Sequence, residues 1–193
     1  MNGNFEEIIE QFCFEGNQNS YEFLMKADVS GWLFHHLLKN QMFKFYQIHL
    51  DTRIGLENLK IDLTIGNINY NNGRLPFINA HLLAEVKLFP RIGYTDTQHK
   101  RLYIDIIEKD LSKLSTYSDG KRALYQIIVD SAGYLNGKYK KENRLRFLIQ
   151  ERNRIVPSAI LIIIKLVNGI WKHEPFYGMS KGRIEMLRVL NSQ

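Results

Sequence analysis

Two apolar runs joined by a turn signal constrain this fold more than anything else in the chain. "KIDLTIG" occupies 60–66, "LLAEVKLF" occupies 82–89, and "NNG" lies between them at 71–73. Asn-Gly between apolar segments is the strongest short-range hairpin signal. Two strands are therefore expected, at 60–68 and 81–89, the second ended by Pro90. Each carries charges that a plain core strand lacks. Side chains alternate across a strand, so Glu85 and Lys87 share one face, with Ala84, Val86 and Leu88 on the other, core face. Asp62 is expected to oppose the face of Ile61, Leu63 and Ile65, and hairpin pairing brings it beside Glu85.

Elements of both kinds surround this hairpin. Helical patterns are read at 5–12 and 20–39, the second after a polar break at 15–19. Asn19 and Glu22 form a capping-box pattern there, and Leu24, Ala27, Gly31, Phe34 and Leu38 give a core stripe. A strand is expected at 43–50. A helix at 97–117 follows the hairpin, with Leu102, Ile106, Leu111 and Leu114 near one stripe. A strand at 122–130, a turn at 133–137 and a basic helix at 140–153 come next. A buried strand at 159–167 continues into Trp171, and Ser180 caps a last helix, "KGRIEMLRVL". This order predicts one α/β domain over 1–193, with a central mixed sheet flanked by helices.

Length and composition agree with one domain and a real core: 193 residues, 45% of them hydrophobic. The formal net charge of +6 favours a polyanionic partner such as nucleic acid. The single cysteine, Cys13, sits between Phe12 and Phe14. It excludes an internal disulfide, reads as a packed thiol, and points to a reducing, cytoplasmic setting. The polar, acidic start "MNGNFEEII" is unlike a signal peptide, and the longest apolar run, "AILIII" at 159–164, is too short to span a membrane.

Two carboxylates on adjoining strands repel, and one pKa rises unless a cation lies between them. Mg²⁺ suits such a site: it takes oxygen ligands, usually one or two carboxylates, and completes its shell with water and phosphate oxygens. A lysine two residues away can orient a water or stabilise charge on a phosphate. The plainer alternative is that Glu85 and Lys87 form the solvent face of an edge strand.

A carboxylate on one strand, a hairpin, then E-x-K on the next resembles the PD-(D/E)xK nuclease superfamily, whose fold is restriction-endonuclease-like. Asp62, Glu85 and Lys87 carry the resemblance, with a helix before the hairpin, "EKDLSKL" at 108–114 in the helix after it, and "ALYQIIVD" as the next strand. It covers roughly residues 20–170; Ile61 stands where many members have proline. The resemblance implies a Mg²⁺-dependent DNA endonuclease, with one or two ions and Mn²⁺ as a substitute. Asp62, Glu85 and the Val86 carbonyl would bind metal, with Glu22 as a further ligand if it is not simply capping its helix; Lys87 would position water. A type II restriction enzyme acting on double-stranded DNA as a homodimer leads this reading. A Holliday-junction or repair nuclease, or a DNA-binding protein that keeps the fold without catalysis, are the alternatives.

Arg53, Arg74, Arg91, Lys100 and Arg101 flank the site in sequence and are the expected phosphate contacts, against a reading as ordinary solvated charge. Residues 136–154 interleave Tyr139 and Phe147 with basic residues, either as a DNA-facing surface or as an amphipathic helix with Leu145, Leu148 and Ile149 inside. The histidines lack zinc-site spacing.

Overall fold

"ALYQIIVD" and "ILIIIKLV" are mostly apolar, with Gln126, Asp130 and Lys165 as the polar exceptions beside Tyr125, as strands covered on both faces require. Both are interior strands of the sheet. The structure, a computed structural model, describes residues 5–19, 21–41, 43–54, 59–70, 77–136 and 143–177. The NNG turn, Arg74, Tyr139 and the expected C-terminal helix lie outside those residues. The strands are β1 (Ile48–Ile54), β2 (Leu59–Asn69), β3 (Phe77–Phe89), β4 (Ala123–Asp130), β5 (Ile160–Val167) and β6 (Ile170–Phe176). They lie side by side in that order in one α/β sheet. β3, β4 and β5 run parallel, while β1, β2 and β6 pair antiparallel, so the sheet is mixed, as expected.

Helices cover both faces. α1 (Phe5–Gln18) and α2 (Lys26–Lys39) bury Ile8, Phe12, Val29 and Leu33 against Leu63, Val86, Ile127 and Ile162. On the other face are α3 (Asp96–Asp105), a π-helical turn (Ile106–Asp110), α4 (Leu111–Thr116) and α5 (Arg144–Ile155). There Ile106, Leu111, Leu114 and Leu148 pack on Leu83, Leu124, Ile128 and Ile163. Cys13 is buried, and burial pushes its thiol up to about 12, in keeping with a packed, inert cysteine.

Several boundaries differ from expectation. α1 runs on to Gln18, through the expected polar break, because Asn17 holds the edge strand: its side chain donates to the Trp171 carbonyl at 3.1 Å and accepts from the Trp171 N–H at 2.5 Å. α2 starts at Lys26, not near 20. The Asp28 carboxylate accepts from the Leu24 and Met25 N–H groups, so the Asn19–Glu22 capping box does not form. The stripe facing the sheet is consequently Val29, Leu33 and Leu37; Leu24 and Gly31 are exposed, and Phe34 and Leu38 only flank it. β1 starts at Ile48, after a 3₁₀ turn at Phe45–Gln47. Trp171 does not continue β5. Asn168 (φ 51) and Gly169 (φ 78) form a two-residue turn, and β6 returns antiparallel with Val167 opposite Ile170.

Two irregularities set which face each side chain takes. Between Ile65↔Leu82 and Gly66↔Ala80 the ladder skips His81, a β-bulge. Before it, Ile78 and Ala80 face α3–α5; after it, Leu82 and Ala84 face α1–α2, which turns Glu85 and Lys87 towards α3 and α4. Gly66 makes the bulge possible, since a Cβ there would lie 2.3 Å from the Asn79 carbonyl oxygen. On β2, Ile61 packs in the α3–α5 layer while Leu63 and Ile65 pack in the other, so the expected single Ile61/Leu63/Ile65 face is broken at Asp62. Opposite this break, Asp51 on β1 takes a left-handed φ of 49 between the Leu50↔Leu63 and Thr52↔Ile61 pairs.

Candidate metal centre on the β2–β3 hairpin

The described β2–β3 ladder ends at Leu63↔Ala84, while β3 continues beside β4 to Phe89↔Asp130. Asp62 and Glu85 lie where β2 parts from β3. The Val86 N–H, left without a strand partner on that side, donates to Asp62 Oδ2 at 2.8 Å. N–H and C=O of one strand residue point the same way, so the Val86 carbonyl is directed to the Asp62 side too. The β2–β3 pairing thus sets Asp62 against the Val86 N–H and within electrostatic reach of Glu85.

The solvated-edge alternative does not survive. β3 is an interior strand covered by helices, and Glu85 is 1% exposed and Asp62 6%. Burial, followed by repulsion from Asp62 and Asp110, pushes the Glu85 carboxyl up to about 9, against one ammonium that favours its ionised form. That ammonium is Lys113 on α4, whose Nζ donates to Glu85 Oε1 at 2.8 Å and to the Lys60 carbonyl at 3.1 Å. Burial alone would depress the Lys113 pKa, but the hydrogen bond to Glu85 and the surrounding carboxylates outweigh it and raise it. Lys26 on α2 ion-pairs with Asp62 Oδ1.

Lys87 shares the Glu85 face, as alternation requires, and its Nζ lies 3.0 Å from Asp110 Oδ2. Asp110 is 3% exposed, and burial raises its pKa despite Lys87. The contact is a buried ion pair. Gln126, opposite Glu85 on β4, donates to the Glu85 carbonyl at 3.4 Å and keeps a buried Oε1 with no hydrogen-bond partner among the described residues. Asp110, Lys113, Lys26 and Gln126 are site residues that the sequence reading did not single out. One signal for Asp110 was present: the apolar stripe steps by five between Ile106 and Leu111, which a π turn accommodates, and that turn rotates Asp110 inward.

Glu22 is not brought into this group. It lies before α2 with Oε1 3.4 Å from Arg91 Nε. Of the expected phosphate contacts, Arg53 is exposed on β1 opposite Lys60, and Arg91, Lys100 and Arg101 are exposed after β3 and on α3. On α5, Leu148 is buried and Leu145 and Ile149 pack against the core, while Phe147 is exposed.

An all-oxygen set of two carboxylates and a carbonyl fits the ligand preference of a hard cation such as Mg²⁺ or Mn²⁺. Among the described residues, no three or more His, Cys, Asp or Glu are grouped to hold a metal ion. No described helix is long and apolar enough to cross a membrane.

No protein-family model matches the chain, and no curated protein matches it. Among solved structures, the chain is similar to Pyrococcus furiosus SfsA in complex with Ca²⁺, at a TM-score of 0.35 and 10% identity. That match spans 79% of this chain and 64%, under two thirds, of SfsA. At this level of likeness nothing about chemistry passes from one protein to the other.

Proposed function

We propose that the chain is a metal-dependent DNA endonuclease hydrolysing phosphodiester bonds. The observation that carries this reading is the buried Glu85 carboxyl, held beside Asp62 at the point where two strands separate and ringed by lysines. Asp62, Glu85 and the Val86 carbonyl would hold Mg²⁺. Such an ion polarises a phosphate oxygen and lowers the pKa of bound water. Asp62 is oriented by the Val86 N–H, so its second oxygen is fixed in direction. Lys87, anchored by Asp110, presents an ammonium on the Glu85 face where phosphate charge would develop. Lys26 and Lys113 balance the carboxylates and compete for them with a metal. Double-strand cleavage by a one-site chain needs two copies, so a restriction-type activity implies a twofold homodimer on duplex DNA.

One observation favours a second reading. Each of the three acidic side chains already has a lysine, as in a structural ion-pair network. That is the pattern of a DNA-binding protein keeping the fold without catalysis.

Plasmid incubation with Mg²⁺ or with EDTA separates the two readings. Wild type is expected to nick or cut with Mg²⁺ only, and Asp62→Asn to be inactive. Its stability should stay within about 1 kcal/mol of wild type, because the amide oxygen still accepts from Val86 and the Lys26 ammonium left behind is on a half-exposed side chain that water can solvate. Full cleavage by Asp62→Asn would sink the active-site assignment, and no cleavage by wild type would favour the binding protein.

A further inference from the structure

Two adjoining clefts open where β3 and β4 end, on the α3–α5 side of the sheet. The larger, about 610 Å³, has Lys100, Ile104 and Phe147 on its walls. The smaller, about 430 Å³, has Arg91, Tyr94 and His99. Asp96, Tyr134 and Arg144 line both. Asp62, Glu85 and Lys87 line neither, so these clefts are separate from the acidic cluster.

Their walls are built before any ligand arrives. Asp130 at the end of β4 accepts from the Tyr134 and Leu135 N–H groups and fixes that loop. The Arg144 guanidinium lies 3.9 Å from the centre of the Tyr134 ring and donates to the Tyr134 carbonyl. Tyr103 donates to the Arg144 carbonyl at 2.9 Å. The rings of Tyr94 and His99 stack at 16° with centroids 5.8 Å apart, and His99 contacts the Pro90 carbonyl. On this rigid frame Tyr94 is 44% exposed and Phe147 49% exposed. Exposed rings beside cations, in a preformed cleft, are the chemistry of base stacking with phosphate contact. Arg91, Lys100 and Arg144 outnumber Asp96 and the Arg91 partner Glu22.

In an intact duplex each base face is covered by its neighbours, so side-chain rings stack on unpaired bases. We propose that these clefts bind unpaired nucleotides, with bases against Tyr94 and Phe147 and phosphates against Arg91 and Lys100. The substrate is then DNA with a single-stranded segment, such as a flap, gap or frayed end. This substrate class rests on the nuclease reading above; the binding itself does not. Arg91 lies four residues beyond Lys87, at most about 13 Å along the chain, so one strand can reach from the clefts to the acidic cluster.

Fluorescence anisotropy in EDTA tests this without any cleavage. The probes are labelled dT12, rU12, a flapped duplex and a blunt duplex. Wild type is expected to bind dT12 and the flap at least about tenfold tighter than blunt duplex. Phe147→Ala and Tyr94→Leu should each weaken dT12 binding about tenfold, the loss of one stacked base, and leave blunt-duplex affinity unchanged. Tyr94→Leu keeps bulk against His99, and unchanged melting of both variants shows that folding is intact. Lys100→Ala should lower the salt dependence of dT12 binding by about one ion. Tighter rU12 than dT12 binding would overturn the assignment to DNA. Equal affinity for flap and blunt duplex, or dT12 binding by both ring variants at wild-type strength, would overturn the proposal. So would absence of binding to every oligonucleotide, which would leave the aromatic face to a protein partner. The nuclease reading is judged separately by Mg²⁺-dependent plasmid cleavage.

Discussion

Replacing Glu85 with glutamine isolates the electrostatic cost of the candidate centre. In the metal-free protein the Glu85 carboxyl is pushed to about 9 from an ordinary 4.5, chiefly by burial and then by Asp62 and Asp110. Between those two pH values the folded state keeps a proton that the unfolded chain releases. Stability therefore falls as pH rises, at a limiting slope of about 1.4 kcal/mol per pH unit. From about pH 5.5 to about pH 7.5, wild type should lose roughly 2–3 kcal/mol through this group. Glutamine cannot ionise, and its amide oxygen can still accept from Lys113 Nζ. Glu85→Gln should thus match wild type near pH 5 and exceed it by a few kcal/mol near pH 7.5. Asp110 and Asp130, whose pKa values burial also raises, add a slope of the same sign to both proteins. Urea denaturation in EDTA across this range measures the difference. Equal slopes for wild type and Glu85→Gln would refute the reasoning, and a wild type more stable at pH 7.5 than at 5.5 would reverse its sign.

Lys87→Ala leaves the buried Asp110 without its ammonium and should cost roughly 2–4 kcal/mol at neutral pH. Adding Asp110→Asn should recover at least about 1 kcal/mol of that, read as the coupling energy of a double-mutant cycle. Lys113→Ala removes the cation that competes for Glu85, so half-maximal cleavage should need less Mg²⁺; a higher requirement would show that Lys113 helps to hold the site together. Gly66→Ala drives a Cβ to 2.3 Å from the Asn79 carbonyl oxygen and 2.7 Å from the Ala80 Cα, both backbone. It should cost about 3 kcal/mol or more by urea denaturation.

What could be read in advance was set by short-range stereochemistry. Apolar runs marked β2 to β5, and two-residue alternation put Glu85 and Lys87 on one face whatever lay around them. The Asn168-Gly169 turn and the five-residue step from Ile106 to Leu111 were equally local, though neither was read as a turn or a π-helical insertion. Tertiary structure decided the rest. Whether the Glu85 face met water or a helix depended on β3 being third of the six described strands, which no local pattern encodes. The start of α2 turned on the side chain of Asp28 reaching back to two N–H groups, a competition between caps that depends on how the preceding segment packs. Lys26 reaches Asp62 across 36 residues, and Lys113 reaches Glu85 across 28. The counter-charges of a buried carboxylate are chosen by which helices pack over it, so they follow from the fold as a whole and not from the spacing of the motif that they serve.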